Sequence, residues 1–250
     1  MIEVKSKEDI EAMHEGGSIL GRIMEALERE VKPGVETGEL DNLAKNLILK
    51  NNAQSSFLGY NGYPKSICTS INEEVVHGIP SSRKLKEGDI LSLDAGIFYK
   101  GFHTDVALTL PVGEISPEDK KLVDSAKKGL FAGLKKVKEG IRIGDVSSAI
   151  QKSIENDGFS VIRDCTGHGI GKELHEEPSV PNYGESGTGE ILKEGNTIAI
   201  EPMACFGNFP VKTQEDGWTI VTSDGKKSAH FEFTILVRNN DYENLTPIEI

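Results

Sequence analysis

The chain has 250 residues, of which 37% are hydrophobic and 27% charged, and its formal net charge is −12. That length buries an ample core in one large domain or two small ones, while the acidic balance speaks against a nucleic-acid binder, which carries a basic stripe. The opening residues lack the apolar run of a secretion signal, no segment reaches membrane-spanning length, and Cys68, Cys165 and Cys205 form no CxxC pair. These features predict a cytoplasmic protein without disulfides or membrane contact.

In chain order, Ser6 reads as the N-cap of a first helix, with Glu8 and Asp9 in its opening turn. Ile10, Met13, Ile19, Ile23, Leu27 and Val31 recur at mostly helical spacing, on one or two helices ending near Pro33-Gly34. Thr37 opens the next helix, with Leu40, Leu43, Ala44, Leu47 and Ile48 as its buried stripe. A loop over 59–62 precedes a strand over 66–70 and the apolar run around His77. Two strands joined as a hairpin then run through 88–110. Helices are predicted at 117–137 and 144–156 and a strand at 159–164. Residues 167–171 read as a glycine-rich turn and 178–194 as loop. Strands over 197–201, 217–221 and 229–237 close the chain.

The hairpin carries two acids, Asp94 and Asp105. Side chains alternate faces along a strand, so Asp94 shares a face with Ile90 and Ser92 while Leu91 and Leu93 point away. Asp105 likewise shares a face with Ala107 and Thr109, opposite Val106, Leu108 and Leu110. Either acid alone reads more readily as a turn cap. What changes the reading is that the chain repeats itself. The stretch from Val31 matches that from Val137, at an offset of 137 − 31 = 106. The stretch ending at Asp94 matches the one ending at Glu201, offset 201 − 94 = 107, and His103-Thr-Asp105 matches His230-Phe-Glu232, offset 232 − 105 = 127.

Three matches in one order imply two similar halves, about 31–110 and about 137–237, facing each other across a pseudo-twofold axis. Each half then delivers two acids to the centre: Asp94 and Asp105, Glu201 and Glu232. Four carboxylates in one sheet crevice repel and desolvate one another unless cations sit between them, and four suit two divalent ions. Of the six histidines, His14 reads as helix surface. His168 lies between glycines, His175 seven residues on, and His77 before Gly78-Ile-Pro. With an acidic centre, an imidazole on a metal and others at a scissile bond become the sharper reading. His103 and His230 each stand two residues before a proposed ligand, as partners of the ligands or as filling.

Asp94, Asp105, His168, Glu201 and Glu232, in that order and within these flanks, resemble the dinuclear metal site of the type I methionine aminopeptidases. Asn72-Glu-Glu-Val-Val-His-Gly-Ile-Pro80, Cys165-Thr-Gly-His-Gly-Ile-Gly171, Leu174-His-Glu-Glu-Pro178 and Ile200-Glu-Pro-Met203 are similar to that family's blocks, so the resemblance covers essentially the whole chain. It implies the pita-bread fold, of class α/β (α+β): one catalytic domain over 1–250, its halves around a central antiparallel sheet. It implies removal of the initiator methionine from nascent polypeptides, preferentially before a small second residue. It further implies a cytoplasmic monomer acting near the ribosomal exit tunnel, with no nucleic-acid specificity of its own. Type II relatives would carry a long insertion between the His168 and Glu201 blocks, and prolidase-like enzymes an added N-terminal domain. Binding modules of this fold have lost their ligands, whereas here all five are present.

By position, the resemblance implies that Asp94 chelates one of two divalent ions (Co, Mn, Fe or Zn), His168 and Glu201 hold the other, and Asp105 and Glu232 bridge them. Glu201 would also pass a proton to the leaving amine, and His77 and His175 would contact the scissile peptide. His175 is thereby separated from the metal ligands. The methionine pocket would be lined by Tyr60, Tyr63, Cys68, His77 and Trp218. The chain departs from the family pattern at Phe57, where a smaller Cys is often found, at Leu174, where Phe is frequent, and at Phe233, where His is frequent. These departures bear on pocket size and on polarity around the site.

Overall fold

The structure, a computed structural model, describes residues 2–249. Ser6 caps the first helix as predicted: its Oγ accepts the Asp9 N–H at 3.2 Å while Asp9 accepts the Ser6 N–H at 3.0 Å. The apolar period forms a single helix, α1 (Lys7–Glu28), followed by α2 (Thr37–Lys50). Beyond Glu28 the chain turns, with the Glu30 and Val31 amides bonded to the carbonyls of Leu27 and Glu28 just before Pro33. Short β1 (Gln54–Ser55), a 3-10 turn (Tyr60–Gly62), β2 (Cys68–Ile71) and β3 (Glu74–Val76) lead to the long hairpin β4 (Ile90–Tyr99) and β5 (Phe102–Pro111). Then come α3 (Pro117–Leu134), α4 (Ile143–Asn156), β6 (Ser160–Val161), β7 (Thr166–Gly169) and β8 (Glu176–Pro181). The chain continues through β9 (Thr197–Ile200), β10 (Met203–Cys205), β11 (Val211–Thr213) and β12 (Ile220–Thr222). It ends with β13 (Ser228–His230), β14 (Glu232–Val237) and β15 (Tyr242–Asn244).

One antiparallel sheet organises the rest. Its order is β1-β4-β5-β14-β9-β7-β8, with β2 also on β4 and β15 also on β14. The parity predicted for the hairpin holds. Leu91, Leu93, Val106 and Leu108 join Ile198, Ile200, Phe233 and Ile235 in the main core, against Leu20, Ile23 and Leu27 of α1 and Leu130 and Ile150 of α3 and α4. Each such side chain fully buried is worth about 1.5–3 kcal/mol, which commits the other face of the sheet to the polar residues.

The same hydrogen bonds recur in the two parts of the chain. The Gly34 amide donates to Leu85, Thr37 to Arg83 and Gly38 to Ser81; the Gly140 amide donates to Leu192, Ile143 to Glu190 and Gly144 to Thr188. In each part they tie the start of the second helix of a pair to the segment leading into a central strand.

The middle of the sheet is held differently from its flanks. Strands β5 and β14 pair only at Ala107↔Glu232 and Val106↔Phe233. Beyond that pair, threonines take over. Thr109 Oγ1 accepts the His230 N–H at 2.7 Å and donates to the His230 carbonyl at 2.8 Å. Thr234 Oγ1 does the same to Asp105, at 2.9 and 2.8 Å. Side chains thus bridge β5 to β13 at one end of the short ladder and to β14 at the other.

Several predicted elements fold otherwise. The glycine-rich turn at 167–171 is largely the strand β7, and most of its glycines serve close approach. A Cβ on Gly167 would lie 2.3 Å from the Ala199 carbonyl, and one on Gly169 2.1 Å from that of Glu177. Part of the predicted loop from 178 is the strand β8. The predicted strand over 229–237 breaks at Phe231, whose amide bonds to Pro202, so His230 and Glu232 belong to different strands. The predicted strand over 159–164 shrinks to β6.

Candidate active site

The acids gather where β4, β5, β14 and β9 meet. Asp94 lies directly across from Ala107, and Ala107 directly across from Glu232, so the two carboxylates flank one small side chain in a single cross-strand row. Asp105 follows two residues away on the same face of β5. Ile200 pairs with Phe233, which brings Glu201, the next residue, level with Glu232. His168, on β7, pairs with Ala199 and approaches from beyond Glu201. Ligand atoms of Asp105, His168 and Glu232 lie within 4.8 Å of one another, and His168 Nε2 lies 3.5 Å from Glu201 Oε1.

This geometry strains the charges of the folded chain. Burial pushes Asp94, Glu201 and Glu232 well above the usual carboxylate range, and the neighbouring acids push in the same direction. Burial likewise raises Asp105 to about 7, against the help of the Val106 N–H. His168 is driven down to about 3 by burial and by His175, and is therefore neutral. Its Nδ1 lies 2.9 Å from the Gly169 carbonyl, which can only accept, so Nδ1 carries the proton and the bare Nε2 lone pair faces the acids. Asp94 Oδ1 and Glu232 Oε1 are buried without any hydrogen-bond partner. Oxygen donors lacking partners, an imidazole lone pair and surplus negative charge fit divalent cations. They fit little else.

A cavity of about 240 Å³ adjoins the acids. Every residue predicted for the site lines it: Asp94, Asp105, His168, Glu201 and Glu232 at one end, and Tyr60, Tyr63, Cys68, His77, His175 and Trp218 around the rest. Tyr63 and Trp218 meet edge to face at 5.1 Å between ring centroids, and Trp218 does the same with His77 at 6.4 Å. His77 holds a left-handed backbone, φ 61°, a costly conformation for a non-glycine residue. The next residue, Gly78, has no room for a Cβ, which would lie 2.3 Å from the Thr69 carbonyl. Burial lowers the pKa of His77, as it does that of His175, so both are neutral donors near pH 7. The volume lies below the roughly 300–1,000 Å³ of drug-sized sites, which suits one side chain and its peptide bond.

Two of the departures also line the cavity. Phe57 sits over Gly96, where a Cβ would lie 2.9 Å from its ring, and Leu174 closes the side near His175. Phe233 is instead in the main core and away from the cavity. Asn61 also lines the cavity, unpredicted from the sequence. Its place before Gly62, an Asn-Gly turn pair, was the available signal, and its φ of 48° fits that turn.

The remaining histidines separate cleanly. His230 is buried, with Nε2 3.8 Å from Glu201 Oε2, so it neighbours a ligand candidate, though from a separate strand. His103 bonds Ser56 at 2.8 Å and packs at a tilt against Phe98. His14 is more than bare helix surface: its Nε2 pairs with Glu243 at 2.6 Å. The rings of His168 and His175 touch edge to face, 4.3 Å between centroids, closer than their separation in sequence suggests.

The pattern recurs in known proteins. Residues 11–239 match the model of metallopeptidase family M24. A methionine aminopeptidase of Clostridium acetobutylicum is 50% identical over 250 residues, covering 100% of both chains. The crystal structure of a methionine aminopeptidase from Thermotoga maritima superposes with a TM-score of 0.97 at 45% identity, covering 100% of both chains. A prolidase from Pyrococcus furiosus shares the fold at 22% identity, with a TM-score of 0.80 over 99% of this chain and 66% of its own.

Proposed function

The chain belongs to metallopeptidase family M24, and within it to the type I methionine aminopeptidases of the pita-bread fold; from this premise we propose that Asp94, Asp105, His168, Glu201 and Glu232 hold its divalent metal. The enzyme removes the initiator methionine from nascent polypeptides, preferentially when the second residue is small. The observation that carries the ligand assignment is the pair of partnerless buried oxygens, Asp94 Oδ1 and Glu232 Oε1, beside the bare Nε2 of His168. We assign the site two ions, drawn from Co, Mn, Fe or Zn. When bound, they supply Lewis acidity, lowering the pKa of water and polarising the scissile carbonyl.

The protein's own groups do the rest. The walls formed by Tyr60, Tyr63, Cys68 and Trp218 receive the methionine side chain, whose polarisable thioether suits aromatic faces and a thiol. His77 and His175 stand where they can donate to the peptide carbonyl and to the oxyanion that develops from it. Glu201, at the acidic end of the cavity beside His168, takes up a proton and returns it to the leaving amine. A cavity of this size holds the one N-terminal residue that an aminopeptidase removes.

We further propose one catalytic domain made of two related halves. The duplicated bonds support it: Gly34 to Leu85 and Gly140 to Leu192 differ by 140 − 34 = 106 and 192 − 85 = 107, the offsets at which the sequence repeats. No helix among the described residues is long and apolar enough to cross a membrane. We place the enzyme in the cytoplasm because its substrates are nascent chains. It acts there as a monomer on chains leaving the ribosome.

Paired substitutions test the roles of the two touching imidazoles. His168→Ala should lose metal. His175→Ala should keep metal and fold but turn over about a hundred- to a thousandfold more slowly, the loss found when one oxyanion donor is removed. Metal analysis beside kinetics on both variants decides; a metal-depleted His175→Ala with a loaded His168→Ala would reverse the assignment.

A further inference from the structure

We propose that Tyr60 is a positioning residue, whose hydroxyl fixes the tautomer and ring plane of His175 so that its Nε2–H faces the peptide-binding cavity. The inference rests on the donor role given to His175 above. Tyr60 Oη lies 2.7 Å from His175 Nδ1, and the two rings meet edge to face at 5.2 Å between centroids. A phenol is the stronger acid and an imidazole nitrogen the stronger base, so Tyr60 donates and Nδ1 accepts. A neutral imidazole carries one proton, which must then sit on Nε2.

Without that contact both tautomers are open to His175, and one of them presents a lone pair where the developing oxyanion needs a donor. The tyrosine is itself held. It sits on the short 3-10 turn, with its amide donating to Phe57 and its carbonyl accepting from the Tyr63 amide. His175 is also braced by the His168 ring, which meets it at 83° with 4.3 Å between centroids. The imidazole therefore stands between a group that sets its proton and a group that sets its tilt. Tyr60 does this while its ring remains part of the pocket wall, so wall and tautomer can be separated by removing the hydroxyl alone.

The test uses Tyr60→Phe, His175→Ala and the double variant, all metal-loaded, with Met-Ala-Ser as substrate. Nitrogen-15 spectra of the zinc-loaded, histidine-labelled parent should show His175 with a bare Nδ1 and a protonated Nε2, and Tyr60→Phe should shift it towards a tautomer mixture. The kcat of Tyr60→Phe should fall about tenfold, the worth of one ordinary hydrogen bond, with KM essentially unchanged and with no further loss when added to His175→Ala. A parent His175 protonated on Nδ1, or a Tyr60→Phe loss that persists in the His175→Ala background, would overturn the inference. So would an unchanged kcat in Tyr60→Phe while His175→Ala is impaired, a result that leaves the donor role intact. If His175→Ala itself turns over normally, the donor role fails and this inference fails with it.

Discussion

Thr234 Oγ1 accepts the amide of Asp105 and donates to the carbonyl of the same residue, at 2.9 and 2.8 Å. One side chain on β14 thus replaces two ladder bonds at the place where β5 must stand apart from it. The separation leaves room for carboxylates from both strands on one face, and the threonine keeps the backbone of Asp105 satisfied while it does so. The site's shape follows from how the centre of the sheet is hydrogen-bonded.

Thr234→Val keeps the shape and removes both bonds. It should destabilise the protein by about 1–3 kcal/mol, the cost of leaving buried polar groups unpaired. It should also weaken metal binding, because Asp105 loses its anchorage. Urea unfolding and metal titration of the variant check both effects; parental stability would show the bridge to be dispensable.

Metal binding should release protons. In the metal-free protein burial lifts Asp105 from its ordinary 3.8 to about 7 and holds Asp94, Glu201 and Glu232 well above their usual range, so the folded chain keeps protons that the unfolded chain has lost. For Asp105 the linked stability is fully present below about 3.8 and is lost as pH rises to about 7. A cation displaces these protons, so affinity should climb with pH across the same window. Calorimetry in buffers of different ionisation enthalpy measures the release. PH-independent affinity without proton release would contradict the assignment of these acids as ligands.

Gly96→Ala tests how the pocket wall is seated. The added Cβ would lie 2.9 Å from the Phe57 ring, closer than real Cβ contacts come, and a tight 3.0 Å from Ser56 Cβ, so the Phe57 ring must shift in the cavity wall. Overpacking of this kind costs about 1–3 kcal/mol. The expected signature is a raised KM for methionyl peptides with metal content unchanged. A parental KM would mean that Phe57 does not limit the pocket.

Much of this was legible in the sequence because it rests on periodicity. Strand alternation placed Asp94 and Asp105 opposite Leu91 and Leu108, and the repeats led to Glu201 and Glu232. What escaped depends on contacts remote in sequence. Gly167 and Gly169 resemble a turn until neighbouring strands are seen to crowd their Cα atoms. The break at Phe231 depends on the Pro202 carbonyl, and the His14–Glu243 pair on two residues 243 − 14 = 229 apart. The contact between His168 and His175 needs β7, β8 and the loop between them all in place. Periodicity reports which face a residue shares. It does not report which distant backbone comes to meet it.

The most direct test is cleavage of Met-Ala-Ser by one preparation, first exhaustively chelated and then reloaded with Co, Mn, Fe or Zn in turn. The metal-free protein should release no free methionine, and release should return with at least one of these ions. Full activity in protein shown by metal analysis to be metal-free would contradict it, because the buried acids would then serve some other purpose.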